Sequence, residues 1–342
     1  MLNVGIIGAS GYAGEELMDI LLNHPEVRIS YLAAKLQENQ PITDLFPRFK
    51  KRISLICDKE AHLKEVCLKC DLVFLALPHT VSMGLAPGLL SAGKKVIDLS
   101  ADYRLKDVSL YEAFYRAKHK DKAHIKEAIY GLPELYRNRI TSAKLVANPG
   151  CYPTVSLLAL APLLAFGLVD PESIIIDAKS GATGAGRKAA MEFFFSEINE
   201  DFRAYKVNTH QHMPEINQEL SLLADKKIRV AFVPHLLPVN RGILASIYAR
   251  KSRKGAKPQG RNLVDVYKKF YKNEPFVRIK EEGRFPKLKD VQHTNFCDIG
   301  IQDDKDKIIV IACIDNLLKG ASGQAVQNMN IMCDFPENTA LS

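Results

Sequence analysis

The N-terminal stretch "NVGIIGASGYAGEELM" constrains the fold more than any other part of the chain. A short apolar run ends on Gly8, glycines recur at 11 and 14, and apolar residues then return at helical spacing. Glycine at these points allows a tight turn, a close approach of backbone to a ligand, and a helix start whose N–H groups attract anions. The pattern predicts a strand, a phosphate-cradling turn and a helix, the opening unit of a dinucleotide-binding sheet. Gly8, Ser10, Gly11, Tyr12 and Gly14 are the candidate contacts. The spacing is G-x-x-G-x-x-G, a variant of the usual fingerprint, and a merely tight turn is the alternative. The next apolar segment ends "YLAAKLQ", so Lys35 stands where an NAD site usually carries an acid for the ribose hydroxyls. A cation there suits a 2′-phosphate, which points to NADP (NADPH in the reducing direction), although Glu38 lies nearby.

The same texture continues. "VRISYLAA", "DLVFLALP", "KKVIDLS" and "KLVANPG" are short apolar or β-branched runs closed by turn residues, with helical spacing between them. Buried parallel strands joined by helices have this pattern, so the first 150 residues read as a doubly wound parallel sheet. After about residue 170 strands predominate: "SIIIDAKSG", "KIRVAFVP", "GILASIYAR", "FCDIGIQ" and "KIIVIACID" predict an α+β domain with a largely antiparallel sheet. A length of 342 residues accommodates both. The formal charge of +8 is dispersed, with no basic-aromatic module, so nucleic acid is not expected as a partner and an anionic small substrate fits equally well. "RKSRKGAKPQGR" (250–261) reads as a solvated basic loop. No apolar run reaches membrane-span length, and the start shows no leader pattern. Seven cysteines without a disulfide-framework spacing fit a reducing cytoplasm.

One cysteine stands apart. In "ANPGCYPT", Cys151 lies in a turn, two residues before Pro153, which is suited to the first position of a helix. The following "TVSLLALAPLLAFG" can be that helix. Cys151 would then sit at a helix N-terminus, where unpaired N–H groups and the macrodipole favour a thiolate. Cys67 and Cys70 form a lone C-x-x-C before a buried strand and read as packing, as do Cys297 and Cys313 inside strands. In "NTHQHMPEI", His210 and His212 share a face if extended, with Glu215 a turn away. The three could hold zinc, supply an acid/base with its orienting carboxylate, or pack as a polar loop. Beside an activated cysteine and a hydride cofactor the acid/base role is preferred, with His210 ahead of His212. "SGATGAGRKA" (180–189) is a glycine-rich turn with Arg187 opening a helix, suited to a phosphate or a nicotinamide. "VPHLLPVNRGI" places His235 and Arg241 in a Pro-rich loop, and "LSADYR" places Arg104 past a parallel strand. Each arginine could pair with a phosphate or carboxylate, and each could be structural.

Taken together, "GASGYAGEEL", "LPHT", "DLSADYR", "YGLPEL", "NPGCYPT", "SGATGAGRKA", "HQHMPEI", "PHLLPVNRGI" and "DNLLKGASGQAVQNMN" resemble the N-acetyl-gamma-glutamyl-phosphate reductases of arginine biosynthesis, within the aspartate-semialdehyde dehydrogenase superfamily. The resemblance runs from residue 5 to about 330. It implies an NADP-binding Rossmann domain at 1–148, completed by a C-terminal helix within 316–342, and an inserted α+β catalytic and oligomerisation domain at 149–315. Implied roles are Cys151 as nucleophile at the domain junction and His210 as acid/base, with Glu215 completing the catalytic set and His212 its neighbour. Pro78, His79, Ser180, Gly181, Gly184 and Asn316 are implied cofactor contacts. Arg104, Arg187, His212, His235 and Arg241 are candidates for the substrate, an acyl phosphate. No metal is implied, and the assembly would be a homodimer or homotetramer. "AAK" departs from the Ser-Arg often found after the second strand in this family. The homologous aminoadipyl-phosphate reductase of lysine biosynthesis, a non-catalytic dinucleotide sensor and a zinc hydrolase are the alternatives.

Overall fold

In the computed structural model, which describes residues 1–187, 189–252 and 262–341, the chain forms two compact units. One comprises Met1–Gly150 with Ala321–Ser342, the other Cys151–Gly320. The first break falls two residues past the expected 148, and the return five residues past the expected 316. Most of the basic stretch at 250–261 lies outside the described residues.

The first unit runs β1 (Leu2–Ile7), α1 (Tyr12–Leu21), β2 (Val27–Ala33), β3 (Gln40–Pro41), α2 (Ile42–Leu45), β4 (Ile56–Asp58), α3 (Leu63–Lys69), β5 (Leu72–Leu75), α4 (Ala86–Ser91), β6 (Lys95–Asp98), α5 (Val108–Tyr115), β7 (Ile129–Tyr130), α6 (Pro133–Thr141) and β8 (Leu145–Ala147). Its strands lie in the order β3-β4-β2-β1-β5-β6-β8-β7, all neighbours parallel except β3 with β4. Strand order therefore reverses beside β1, and the loop that leaves β1 opens at the crevice where such sheets bind nucleotides. Cys70 is buried against β1, close enough that a Cβ on Gly5 would stand 2.8 Å from its sulfur. Its role is packing, as the sequence suggested.

The second unit begins with α7 (Cys151–Ala165) and continues β9 (Ile175–Gly181), α8 (Phe195–Ile198), β10 (Arg203–Ala204), α9 (Met213–Ala224), β11 (Ala231–Leu237), β12 (Ile243–Arg250), α10 (Leu263–Phe270), β13 (Val277–Ile279), β14 (Cys297–Asp303) and β15 (Lys307–Ile314). Its sheet is ordered β10-β11-β9-β12-β15-β14-β13. The central β9, β12, β15 and β14 pair antiparallel, while β11 joins β9 in parallel through the crossover helix α9. The last helix, α11 (Ser322–Met332), belongs to the first unit. Among the described residues no helix is long and apolar enough to cross a membrane.

Helix α7 is buried from Tyr152 to Leu164 despite a proline at 162. Pro162 has no N–H for the carbonyl of Leu158 and crowds that turn. Two buried tyrosines of the α10 region repair the damage: the Tyr271 hydroxyl donates to the Leu158 carbonyl at 2.6 Å and the Tyr267 hydroxyl to the Ala159 carbonyl at 2.5 Å. The sequence segment therefore stays helical through its proline.

In the first unit, Asp98 at the end of β6 is wholly buried. Burial, with the nearby Asp102 adding to it, pushes its carboxyl up from 3.8 to about 6, against the opposing hydrogen bonds from Ser100. A carboxyl that keeps its proton longer when folded favours the folded state below about pH 4, and that advantage is lost as pH rises to about 6. Asp98→Asn has no such dependence. Wild-type stability relative to Asp98→Asn, from denaturant melts, should therefore fall by about 2 kcal/mol between pH 4 and pH 7. A difference that stays flat across this range contradicts the assignment.

Candidate active site

The glycine loop of the first unit separates structural from permissive glycines. Gly8 has φ +101, and a Cβ there would sit 2.1 Å from the Ala76 carbonyl oxygen. A Cβ on Gly14 would meet the Gly8 oxygen at 2.4 Å. Both are demanded by the fold. Gly11 caps α1 at an ordinary φ of −79, and its Cβ would touch nothing closer than 3.6 Å. The chain itself would tolerate a side chain at 11, and its absence leaves space over a helix N-terminus, which fits a pyrophosphate. Ser10 and Tyr12 flank that space in sequence, and Lys35 is exposed two residues past the end of β2. Pro78 and His79 follow β5, and the His79 Nδ1 accepts the Ala101 N–H at 3.1 Å. Arg104 is buried in the turn after β6, where Nε donates to the Asn148 carbonyl and Nη2 to the Leu99 carbonyl, both at 2.7 Å. It braces the loops at the carboxyl ends of β6 and β8.

In the second unit Cys151 is the first residue of α7 and is partly exposed. Pro153 therefore occupies the third helical position rather than the first. The position tolerates it, because the first four N–H groups of a helix have no partner within the helix. Tyr152 is buried, and its hydroxyl lies 3.0 Å from that of Tyr205. Burial pushes the Tyr205 hydroxyl up to about 12, with proximity to Cys151 acting in the same direction. The Tyr152 ring stands edge-on to His210 at 5.3 Å and to His212 at 6.0 Å. The two histidines are not extended. The His212 N–H donates to His210 Nδ1 at 3.0 Å, the Met213 N–H to the His210 carbonyl at 2.9 Å, and His212 caps α9. Pro214 and Glu215 fill the first turn of this helix, and Glu215 is buried. The helix was not visible as such in the sequence, because the two histidines and Pro214 mask its start. Among the described residues no group of three or more His, Cys, Asp or Glu is placed to hold a metal ion.

The glycine-rich turn after β9 is zipped to residues 239–242. Gly181, Ala182 and Thr183 donate N–H groups to the carbonyls of Gly242, Val239 and Asn240 at 2.9–3.0 Å. Ser180 is buried, and Gly184 lies on the exposed side of a 3-10 turn, Ala182–Ala185. No helix opens at Arg187, contrary to expectation. Gly186 at φ +80 ends the turn, Arg187 is an exposed bend, Lys188 is outside the described residues, and the next helical turn is Met191–Phe193. His235 also departs from expectation. It is inside β11, not in a loop, in register with Lys179 of β9. Its Nδ1 lies 3.1 Å from Asp177 and its ring stacks on Phe202 at 5.1 Å. Pairing on both sides carries the strand through Pro234 at the loss of one ladder donor.

Arg241 is committed to a partner that the sequence did not reveal. Its Nε lies 2.7 Å and its Nη2 3.1 Å from the two oxygens of Asp315, which is wholly buried. Asp315 also accepts the N–H groups of His293, Leu317 and Leu318 at 2.7–3.2 Å. Next to it, Asn316 accepts the Gly242 N–H at 2.6 Å and donates to Thr183 Oγ1 at 3.0 Å. Gly320 ends this loop against the nucleophile candidate, since a Cβ there would stand 2.8 Å from the Cys151 Cβ. The available signal was a lone acid at the end of the apolar run "KIIVIACID". In the second unit Cys151 thus starts α7, Ser180 and Gly181 end β9, Gly184, His210, His212, Arg241 and Asn316 lie on loops, and His235 lies within β11.

Removing Asp315 takes from the buried Arg241 guanidinium the carboxylate that holds its Nε and Nη2, whereas removing Arg241 leaves a carboxylate still held by three N–H groups. Asp315→Ala should cost about 3–5 kcal/mol in denaturant melts, and Arg241→Met clearly less. Equal small losses would show that the pair carries no structural burden.

Comparison with known proteins matches this architecture. Residues 3–143 match the family model described as semialdehyde dehydrogenase, NAD binding domain, and residues 151–316 match the semialdehyde dehydrogenase, dimerisation domain. The N-acetyl-gamma-glutamyl-phosphate reductase of Desulfotalea psychrophila is 48% identical over 344 residues, covering 100% of this chain and 98% of the relative. That of Symbiobacterium thermophilum is 48% identical, covering 99% and 97%. Among solved structures, aspartate semialdehyde dehydrogenase II of Vibrio cholerae superposes with a TM-score of 0.72 at 17% identity over 98% of each chain. The aspartate semialdehyde dehydrogenase of Candida albicans, solved with NADP, gives 0.71 at 16% identity over 97% and 98%. At such identities these two establish the fold. The full-length relatives establish more: the chain belongs to the N-acetyl-gamma-glutamyl-phosphate reductase family, built on the semialdehyde dehydrogenase fold.

Proposed function

We propose that Cys151 is the nucleophile of an NADPH-dependent reductive dephosphorylation of N-acetyl-glutamyl 5-phosphate to N-acetyl-glutamate 5-semialdehyde. Family membership makes the chain an oxidoreductase of arginine biosynthesis with a dinucleotide-binding domain. One observation supports the role of Cys151 above the others. It is the first residue of a long buried helix, partly exposed, beside the Tyr152–Tyr205 pair and the His210–His212 turn. The helix start favours a thiolate and offers N–H groups to an oxyanion.

The Cys151 thiolate attacks the acyl carbon, the C–O bond to phosphate breaks, and inorganic phosphate leaves with the electron pair. The resulting thioester is a better hydride acceptor than a carboxylate. NADPH, when bound, supplies that hydride, which forms the new C–H bond. His210 gives a proton to the oxygen of the hemithioacetal and takes it back as the C–S bond breaks, so that the aldehyde departs and the thiolate returns. Glu215, buried in the first turn of α9, is the proposed carboxylate that orients the histidine turn. Gly8, Gly11 and Gly14, with Ser10, Tyr12, Lys35, Pro78 and His79, would hold the cofactor on residues 1–148. Ser180, Gly181 and Gly184 within residues 149–315, and Asn316 just past that range, are its other proposed contacts. Arg187 and Arg241 are the candidate phosphate cations in the second unit, with two of the Arg241 donors already engaged by Asp315. A homodimer formed through residues 151–316, in the cytoplasm, is the proposed working state.

A reverse assay tests the reading directly: N-acetyl-glutamate semialdehyde, phosphate and NADP should yield NADPH only when all three are present. Cys151→Ala should abolish this turnover and keep NADPH binding, and Cys151→Ser should be nearly as inactive. Ordinary turnover in Cys151→Ala rules the nucleophile out. His210→Asn should lower turnover by roughly 10²–10⁴-fold and His212→Asn by less. The reverse order moves the acid/base role to His212.

A further inference from the structure

We propose that Asp102 is a positioning residue for the dinucleotide site, holding the loop Pro78–Thr80 in a strained conformation against the glycine loop. The inference rests on the cofactor reading above. The contact between the two loops is fixed by Gly8, whose missing Cβ would otherwise strike the Ala76 carbonyl at 2.1 Å. The segment after β5 therefore leaves the sheet alongside the proposed pyrophosphate cradle, where the strand order reverses.

Four residues beyond Ala76 the backbone enters an unfavourable state. Thr80 has φ +76, in the left-handed region that a β-branched residue resists. Strain of this kind persists only when the surroundings over-determine it. Here the surroundings are one carboxylate. Asp102 is wholly buried; its Oδ1 accepts the Thr80 N–H at 2.7 Å and the Tyr111 hydroxyl at 2.8 Å, and its Oδ2 accepts the Met83 N–H at 3.0 Å. The preceding residue continues the grip, because the Ala101 N–H donates to His79 Nδ1 at 3.1 Å. Two adjacent residues of the turn after β6 thus hold two adjacent residues of the loop after β5.

The carboxylate is itself aimed from behind. The Asp102 N–H donates to Ser100 Oγ at 3.1 Å, and the Ser100 hydroxyl donates to Asp98 at 2.8 Å. Through Tyr111 the same carboxylate also sets a ring stack. Tyr111 lies on Tyr115 at 4.8 Å, and Tyr115 meets the His79 ring edge-on at 5.1 Å. Asp102 therefore fixes the backbone at Thr80, next to His79, and through Tyr111 the ring stack that the His79 ring, a proposed cofactor contact, meets. A buried charge accepting three hydrogen bonds is an expensive device for closing a turn. Its three partners converge on one short loop and the rings beside it, which is the signature of a shaped wall.

Fluorescence titration with NADPH tests the proposal. Wild type should saturate; a wild type that binds no NADPH removes the cofactor reading and this inference with it. Asp102→Asn replaces one acceptor by a donor facing an N–H, and should raise the Kd for NADPH by about tenfold or more. The alkylation rate of Cys151 should stay unchanged. Adding Thr80→Gly, which removes the left-handed penalty, should recover part of the lost affinity. Tyr111→Phe, a milder change, should raise the Kd roughly two- to fivefold with little change in Tm. A folded Asp102→Asn that binds NADPH like wild type overturns the proposal. Should Asp102→Asn fail to fold, Tyr111→Phe decides: a lower Tm with unchanged Kd assigns these residues to stability alone.

Discussion

The buried carboxylate of Asp315 is the constraint on which the second unit's loops depend. It stands one residue past β15, out of reach of water, and accepts bonds from Arg241 and three backbone N–H groups. In a low-dielectric interior such bonds are strong when complete and costly when broken. These bonds tie the loop after β15 to Arg241 and His293. Asn316 then lies between Gly242 and Thr183, and Gly320 lies flat against Cys151. The Cys151 sulfur, the proposed nucleophile, therefore sits at a helix start whose neighbours are held by polar bonds, while the rest of that helix is set in hydrocarbon.

Helix α7 shows the same combination of apolar burial and polar repair. Its proline would break a solvent-facing helix, yet here the buried carbonyls of Leu158 and Ala159 are met by Tyr271 and Tyr267. A helix buried on every side cannot shift to relieve strain elsewhere, so its first residue is held in place. In the first unit, the glycine loop is fixed by two collisions that glycine avoids, at Gly8 and Gly14, while a Cβ at Gly11 would meet nothing closer than 3.6 Å.

Much of this was readable in the residues. The strands of both sheets appear as β-branched runs closed by turn residues, because each is buried on at least one face and short enough to stand out. The glycine loop between β1 and α1, and the cysteine at the start of α7, follow from local chain chemistry alone. Other features depend on distant partners. β3 and β7 are two residues long and exist only through pairing. His235 reads as a loop residue beside Pro234 and Pro238, but parallel pairing with β9 extends the strand through it. Arg187 looked like a helix start, yet Gly186 in a left-handed conformation turns the chain away. Asp315 and Asp102 carried no motif signal, since what distinguishes them is burial and converging donors. The choice of a five-carbon over a six-carbon acyl chain came from the named relatives, as no local pattern separates the two.

The central claim is that one sulfur carries the acyl group. Mixing the protein with N-acetyl-glutamyl phosphate in the absence of reduced cofactor, quenching in acid and measuring intact and peptide masses tests it most directly. The account predicts release of phosphate with a single N-acetyl-glutamyl group on the peptide containing Cys151, discharged when NADPH is supplied before the quench. No adduct, or an adduct on another residue in a preparation that turns over normally, would contradict it.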